Sequence, residues 1–234
     1  MLQGPTWASV VDVRVSPDGL CELVKEVRGR VPAGKWAVWR IGPSSEPADL
    51  AERLLALGFR EPEDRASTLN VVVCVEAPAA APADIEVRRV ETFEDYAASM
   101  ETMWEAFGTP PHRVEAQRRH QRLTFEAAER AGVPVSFLAY VDGRPAGVGR
   151  SVYSEHGVLL ISGSVVPWAR GRGAYRALVR ARWDDAVDRG TPALVTHAVP
   201  TTSYPILRRI GFQDVCSVRR LEDPRVQPGA AQTS

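Results

Sequence analysis

Apolar and polar positions alternate through the middle of the chain in a way that predicts strands. Residues 135–141, 145–153 and 157–166 each read as strands. Asp142-Gly143, between the first two, suits a two-residue hairpin turn that needs positive φ. Upstream, residues 85–90 alternate as another strand. Thr92 then offers an N-cap to a helix whose first turn carries Glu94 and Asp95, the charge sign that a helix N-terminus favours. Gly108 and Pro110-Pro111 stop that helix near Phe107, and a strongly charged helix is expected from about 112 to 131, closed by Gly132. Further on, a glycine-bearing turn leads into a helix at about 173–189. A strand at 193–198, a short helix at 203–210 and a closing strand at 212–221 complete the order β-α-α-β-β-β-α-β-α-β.

The first third of the chain has a shorter pattern of the same kind. A strand at Trp36-Ala37-Val38-Trp39, a turn at Pro43-Ser44-Ser45 and an amphipathic helix at 48–57 lead through Leu57-Gly58-Phe59 into a strand at 69–75. The last part of the chain repeats that sequence of features, ending its helix at Ile210-Gly211-Phe212; an internal duplication is one reading, and the other is that glycine closes many helices as a C-cap before an aromatic strand start. Between the two parts, Ala77-Pro78-Ala79-Ala80-Ala81-Pro82-Ala83 is uncharged and without period, as a semi-rigid spacer would be. The expected organisation is a small domain at 1–76, a linker at 77–83, a larger domain at 84–223 and a disordered tail at 224–234.

Composition narrows the class. Lys plus Arg equals 29 and so does Asp plus Glu, so no net field marks a nucleic-acid binder. The apolar runs are far short of the ~20 residues of a membrane span. The first residues lack a basic stretch followed by an apolar core, so no signal peptide is expected. Cys21, Cys74 and Cys216 are scattered, which fits a reducing, cytoplasmic setting and neither a disulfide framework nor a metal knuckle. No His and carboxylate spacing suggests a metal site.

The chemically informative segment is Val165-Val166-Pro167-Trp168-Ala169-Arg170-Gly171-Arg172-Gly173-Ala174-Tyr175. A strand ends, a loop with two glycines follows and a helix begins. Such a junction aims backbone N–H groups and a positive helix end at one point, which suits a phosphate or pyrophosphate. The loop follows a run of antiparallel strands, which disfavours a dinucleotide-binding βαβ unit, and no Gly-Lys-Ser/Thr follows it as a P-loop requires.

At these residues the chain resembles the GCN5-related N-acetyltransferase (GNAT) superfamily, whose signature is Arg/Gln-x-x-Gly-x-Gly/Ala after the fourth strand. The resemblance covers about 85–223 and includes the element order and Gly211-Phe212. Arg170 and Gly173 match the first two fixed positions, and Tyr175 stands where Gly or Ala is usual. The resemblance implies an α/β fold with a mixed sheet, the acyl-CoA N-acyltransferase fold, preceded by a smaller and degenerate half of the same kind. It also implies acetyl-CoA or another acyl-CoA as co-substrate, lying between the fourth and fifth strands with its pyrophosphate on Arg170, Gly171, Arg172, Gly173, Ala174 and Tyr175. Arg28-Gly29-Arg30-Val31 lacks the second glycine, so a second cofactor site is not expected.

By the same resemblance, a backbone N–H at Val165 or Val166 polarises the thioester carbonyl. The family's proton-donating tyrosine falls on Leu207 here, which leaves Tyr204 or Ser203 as substitutes. His197, near the end of the fifth strand of the larger part, has a side chain suited to moving protons near neutrality. The expected activity is transfer of an acyl group to the amine of a small or amino-acid-like acceptor, without a metal, nucleic acid or membrane partner, and a homodimer is compatible with it. Two other readings stay open: a non-catalytic acyl-CoA-binding or partner module, and an acyltransferase drawing on a carrier-bound or tRNA-bound donor.

Overall fold

The computed structural model describes residues 2–3, 7–31, 36–63 and 66–226. In chain order its elements are β1 (Leu2–Gln3), β2 (Trp7–Val10), α1 (Leu20–Arg30), β3 (Trp36–Ile41), α2 (Leu50–Ala56), β4 (Thr68–Cys74), β5 (Ile85–Arg89) and α3 (Phe93–Phe107). They continue with α4 (Pro111–Arg119), α5 (Gln121–Ala131), β6 (Val135–Val141), β7 (Arg144–Ser154), β8 (Gly157–Val165), α6 (Ala174–Asp188), β9 (Leu194–Ala198), α7 (Ser203–Ile210) and β10 (Gln213–Glu222). Two compact units result, one from Met1–Val71, Ala198–Pro205 and Asp214–Ser234, the other from Val72–His197 and Ile206–Gln213.

In the first unit the strands follow the order β1-β2-β3-β10-β4. β2 runs parallel to β3 through four successive pairs, from Trp7↔Trp36 to Val10↔Trp39, and β10 returns antiparallel along β3 from Arg219↔Ile41 to Glu222↔Val38. Leu20, Val24 and Val27 recur at helical spacing and give α1 its buried stripe. Trp39, Leu50, Leu54 and Leu221 are fully buried in this core, with Phe59 edge-on to Trp39 at 5.5 Å. Residues 28–30 are the last turn of α1 and not a loop before a helix, so the expected echo of the glycine loop at that place is incorrect. Arg28 instead holds the buried Asp223 in a two-pronged ion pair at 2.7 and 3.1 Å. Residues 224–226 form a 3₁₀ turn, and 227–234 of the expected tail lie outside the described residues.

The second unit carries the strands β9-β8-β7-β6-β5, antiparallel except for the β8–β9 pair. Thr92 caps α3 reciprocally with Asp95, and Gly108 ends it in the left-handed conformation. The expected long charged helix is two helices that meet at His120. Each has its own dock: Gln117 accepts the Trp104 indole N–H and Arg118 bonds Glu101, whereas Phe125 packs on Phe93 and Tyr96. Both docks lie on α3, α4 toward its C-terminal end and α5 toward its N-terminal end. Asp142 and Gly143 both have positive φ, as the hairpin turn requires. Gly149 lies against Arg182 of α6 while its neighbour Arg150 reaches Met100 of α3, so the two helices cover opposite faces of the sheet.

The Pro/Ala segment is packed against α6. The Pro78 carbonyl accepts a hydrogen bond from Arg180 at 3.1 Å, and Pro82 rests on Gly173.

Candidate functional site

The site is built where β8 and β9 part. They pair in parallel at Val158↔Leu194 and Leu159↔Val195. The Thr196 hydroxyl then donates to the Leu160 carbonyl at 2.9 Å, so a side chain takes the place of the next rung, and the registered pairs stop there. β8 continues to Val165, leaving the edge of its second half open on that side.

The open edge is shaped by a bulge. Val148 pairs with Ser164 and Arg150 with Ile161, so β8 carries one extra residue, with Ser162 at φ 52°. Val166 donates its amide to the Ala146 carbonyl at 2.9 Å. By alternation along a strand, the Val165 amide then points away from β7, toward the open edge. Of the two valines, Val165 is therefore the one whose N–H faces the gap.

Beyond Val166 the chain makes a 3₁₀ turn at Pro167–Ala169, and Gly171 and Gly173 adopt φ of 80° and 93°. The first internal bond of α6 runs from the Ala177 amide to the Gly173 carbonyl. The amides of Ala174, Tyr175 and Arg176 precede it, and no side chain caps them. A helix of fifteen residues thus presents its uncapped positive end beside the open edge of β8.

The charges around this end differ from expectation. Arg170 and Arg172 are exposed but engaged: Arg170 donates to the carbonyls of Val165 at 3.3 Å and Ala106 at 3.2 Å, tying the loop to β8 and the end of α3. Arg172 holds Asp142 at 2.6 and 3.1 Å and keeps that exposed carboxyl below its ordinary range. Arg176, exposed on the first turn of α6 and without a described ion pair, is the cation sequence reasoning missed. Its signal was its place three residues into the helix.

Tyr175 explains its own departure from the signature. Its ring packs over Gly163 of β8, where a Cβ would stand 3.0 Å from the ring edge. A small residue on the strand makes room for a large one on the helix. Burial pushes the Tyr175 hydroxyl above its ordinary pKa. Gly173 is required for a reason other than ligand approach alone, since a Cβ there would lie 2.5 Å from the Pro82 ring.

The three residues expected to handle protons are not placed alike. His197 is half-buried on β9 in the second unit, with the loop. Ser203 and Tyr204 fall in the first unit: the Ser203 Oγ accepts the Val199 amide at 2.9 Å, and the Tyr204 hydroxyl donates to Asp214 at 3.1 Å. Leu207, at the family's tyrosine position, is fully buried.

Comparison with protein-family models and with curated proteins gives no match. Solved structures do match. A GCN5-related N-acetyltransferase from Kribbella flavida is 15% identical, with 93% of this chain and 81% of that one aligned at a TM-score of 0.67. One from Sphaerobacter thermophilus is 21% identical over 88% of this chain and 68% of that one, at 0.57. A tandem GNAT protein from the clavulanic acid biosynthesis pathway is 14% identical over 86% and 66%, at 0.55. At these identities the likeness shows a fold, and the fold is that of the GNAT acetyltransferases.

Proposed function

From the premise of a GNAT fold, we propose that the chain transfers an acyl group from acyl-CoA to the amine of a small acceptor. The observation that carries this reading is the parting of β8 and β9 beside the uncapped N-terminus of α6. The gap suits an extended pantetheine arm, whose amides need backbone partners, and the helix end suits a pyrophosphate. Arg176 and the amides of Ala174 and Tyr175 are assigned to the phosphates, with Gly171 and Gly173 shaping the turn and Arg170 and Arg172 bracing it.

The Val165 N–H is assigned to the thioester oxygen, where negative charge develops as the amine nitrogen attacks. Collapse of the tetrahedral adduct so formed breaks the carbon–sulfur bond and releases CoA thiolate, which takes up a proton from solvent to leave as the thiol. His197 is assigned to accept the proton that the amine must lose.

Incubation with acetyl-CoA and a panel of amines should release thiol in step with acylated amine, and calorimetry should give one acyl-CoA per chain. The absence of binding would overturn the reading. Binding without thiol release across the panel would favour the non-catalytic module, a reading to which the buried Leu207 in place of an acid lends support.

A further inference from the structure

A cavity of about 310 Å³ lies elsewhere in the second unit, among β5, β6, β7, α3 and α5. Its wall combines an apolar part (Val90, Phe125, Pro134, Val135) with the side chain of Arg150. Arg150 sits on β7, opposite Ser136 on one side and Ile161 on the other. Its Nη2 donates to the Met100 thioether at 2.8 Å, a weak acceptor, and the Tyr96 hydroxyl stands beside it. Its Nε is buried without an acceptor. Among the described residues no carboxylate is paired with it.

This is an unusual arrangement for an arginine. A guanidinium stays charged under any physiological condition, so it cannot relieve its burial by losing a proton as a lysine can. The other arginines reported above in ion pairs, Arg28 with Asp223 and Arg172 with Asp142, meet a carboxylate in two-pronged geometry. Arg150 lines an empty space large enough for a small molecule, with, among the described residues, only the Met100 thioether and the Tyr96 hydroxyl beside its guanidinium and no acid. Glu91 and Glu129 stand exposed on the rim of the same cavity.

We propose that this cavity binds a free amino acid with an apolar side chain as large as that of phenylalanine. The carboxylate would meet the positive charge of Arg150 and the Tyr96 hydroxyl, the side chain would cover Phe125 and Val135, and the ammonium group would face Glu91 and Glu129. The three chemistries of such a ligand match the three parts of the wall, and an anion supplies what Arg150 lacks. The site stands independently of the acyl-CoA reading, since none of its residues belongs to the loop or to α6.

Calorimetry on the full chain with L-phenylalanine, L-phenylalaninamide and phenethylamine tests it. The acid should bind, and the amide and amine should bind at least tenfold more weakly. Arg150→Met should abolish that preference while leaving the unliganded melting temperature unchanged or higher, because a charge has left a partly buried place. Equal binding of acid and amide, or no binding of the acid at millimolar concentration, overturns the proposal. If Arg150→Met fails to fold, Arg150→Lys decides: a retained preference for the acid supports the site, and a lost one overturns it. Acyl-CoA titrated into the same variants reports the other reading separately.

Discussion

Two stretches of the chain run through the same elements, end alike and differ in their first halves. The first is β2, a 3₁₀ turn at Pro17–Gly19, α1, β3, α2, Gly58-Phe59 and β4; the second is β8, a 3₁₀ turn at Pro167–Ala169, α6, β9, α7, Gly211-Phe212 and β10. Their corners are closed by the same bonds. Phe59 donates to the Leu54 carbonyl and Phe212 to the Leu207 carbonyl, both at 3.1 Å, and Gly58 and Gly211 turn the chain at φ of 89° and 115°. The leucines and phenylalanines involved are all buried. What differs is the first half of each stretch. β2 and β3 pair over four rungs, where β8 and β9 pair over two. The 3₁₀ turn that leads straight into α1 is capped by Ser16, whose side chain accepts the Gly19 amide, and Asp18 and Glu22 place negative charge at that start, although α1 itself, like α6, has no side-chain cap. The first turn of α6 carries no acid. The same order of elements is sealed in one stretch and open in the other, so under the proposed function the missing acids and the missing rungs, and not the frame alone, offer a place to an anion.

That contrast can be broken or sharpened by substitution. The largest effect should come where the stretches agree. Leu54→Ala and Leu207→Ala remove equivalent fully buried side chains, and each should cost about 2–5 kcal/mol in denaturant melts. Costs differing by more than twofold would show that the two corners are alike in outline only. Next, Gly173→Glu should lose about 2–4 kcal/mol, since the new Cβ collides with Pro82 and the backbone is left-handed there, so its loss of acyl-CoA binding is inseparable from loss of stability. Gly171→Asp is the cleaner probe. Its Cβ would meet open space, so folding should lose only about 1 kcal/mol of left-handed strain while acyl-CoA affinity falls tenfold or more in calorimetry. Unchanged affinity would remove the pyrophosphate from this loop. The smallest effect is expected from Ser16→Ala in the sealed stretch. It should cost about 0.5–1 kcal/mol in melting experiments and leave acyl-CoA stoichiometry at one.

Most of the larger part was legible because its signals are local. Thr92 with Asp95, Asp142-Gly143, and the stops at Gly108 and Gly132 each act within four residues, and the elements they bound fall within a residue or two of expectation. The break at His120 was not legible, because neither a glycine nor a proline marks it. Nor was α1, whose stripe of Leu20, Val24 and Val27 is thin, and Arg28-Gly29-Arg30 was mistaken for a loop because glycine between arginines looks the same at the end of a helix as before one. At the site, the loop itself could be read. The partners of Arg170 and Arg172 could not, since Ala106 and Asp142 lie 64 and 30 residues away. The exchange between Gly163 and Tyr175 became visible only once the ring was seen to cover the strand.

The pairing of β3 with β10 has a consequence for how the protein is made. β3 and its partner are roughly 180 residues apart in sequence, and Leu221 completes a core that otherwise comes from the first sixty residues. During synthesis on the ribosome the first unit emerges early but must wait for nearly the whole chain before its sheet can close. Until then the core around Trp39 lacks Leu221, and the edge of β3 that β10 will take stands unpaired, open to pairing with another chain.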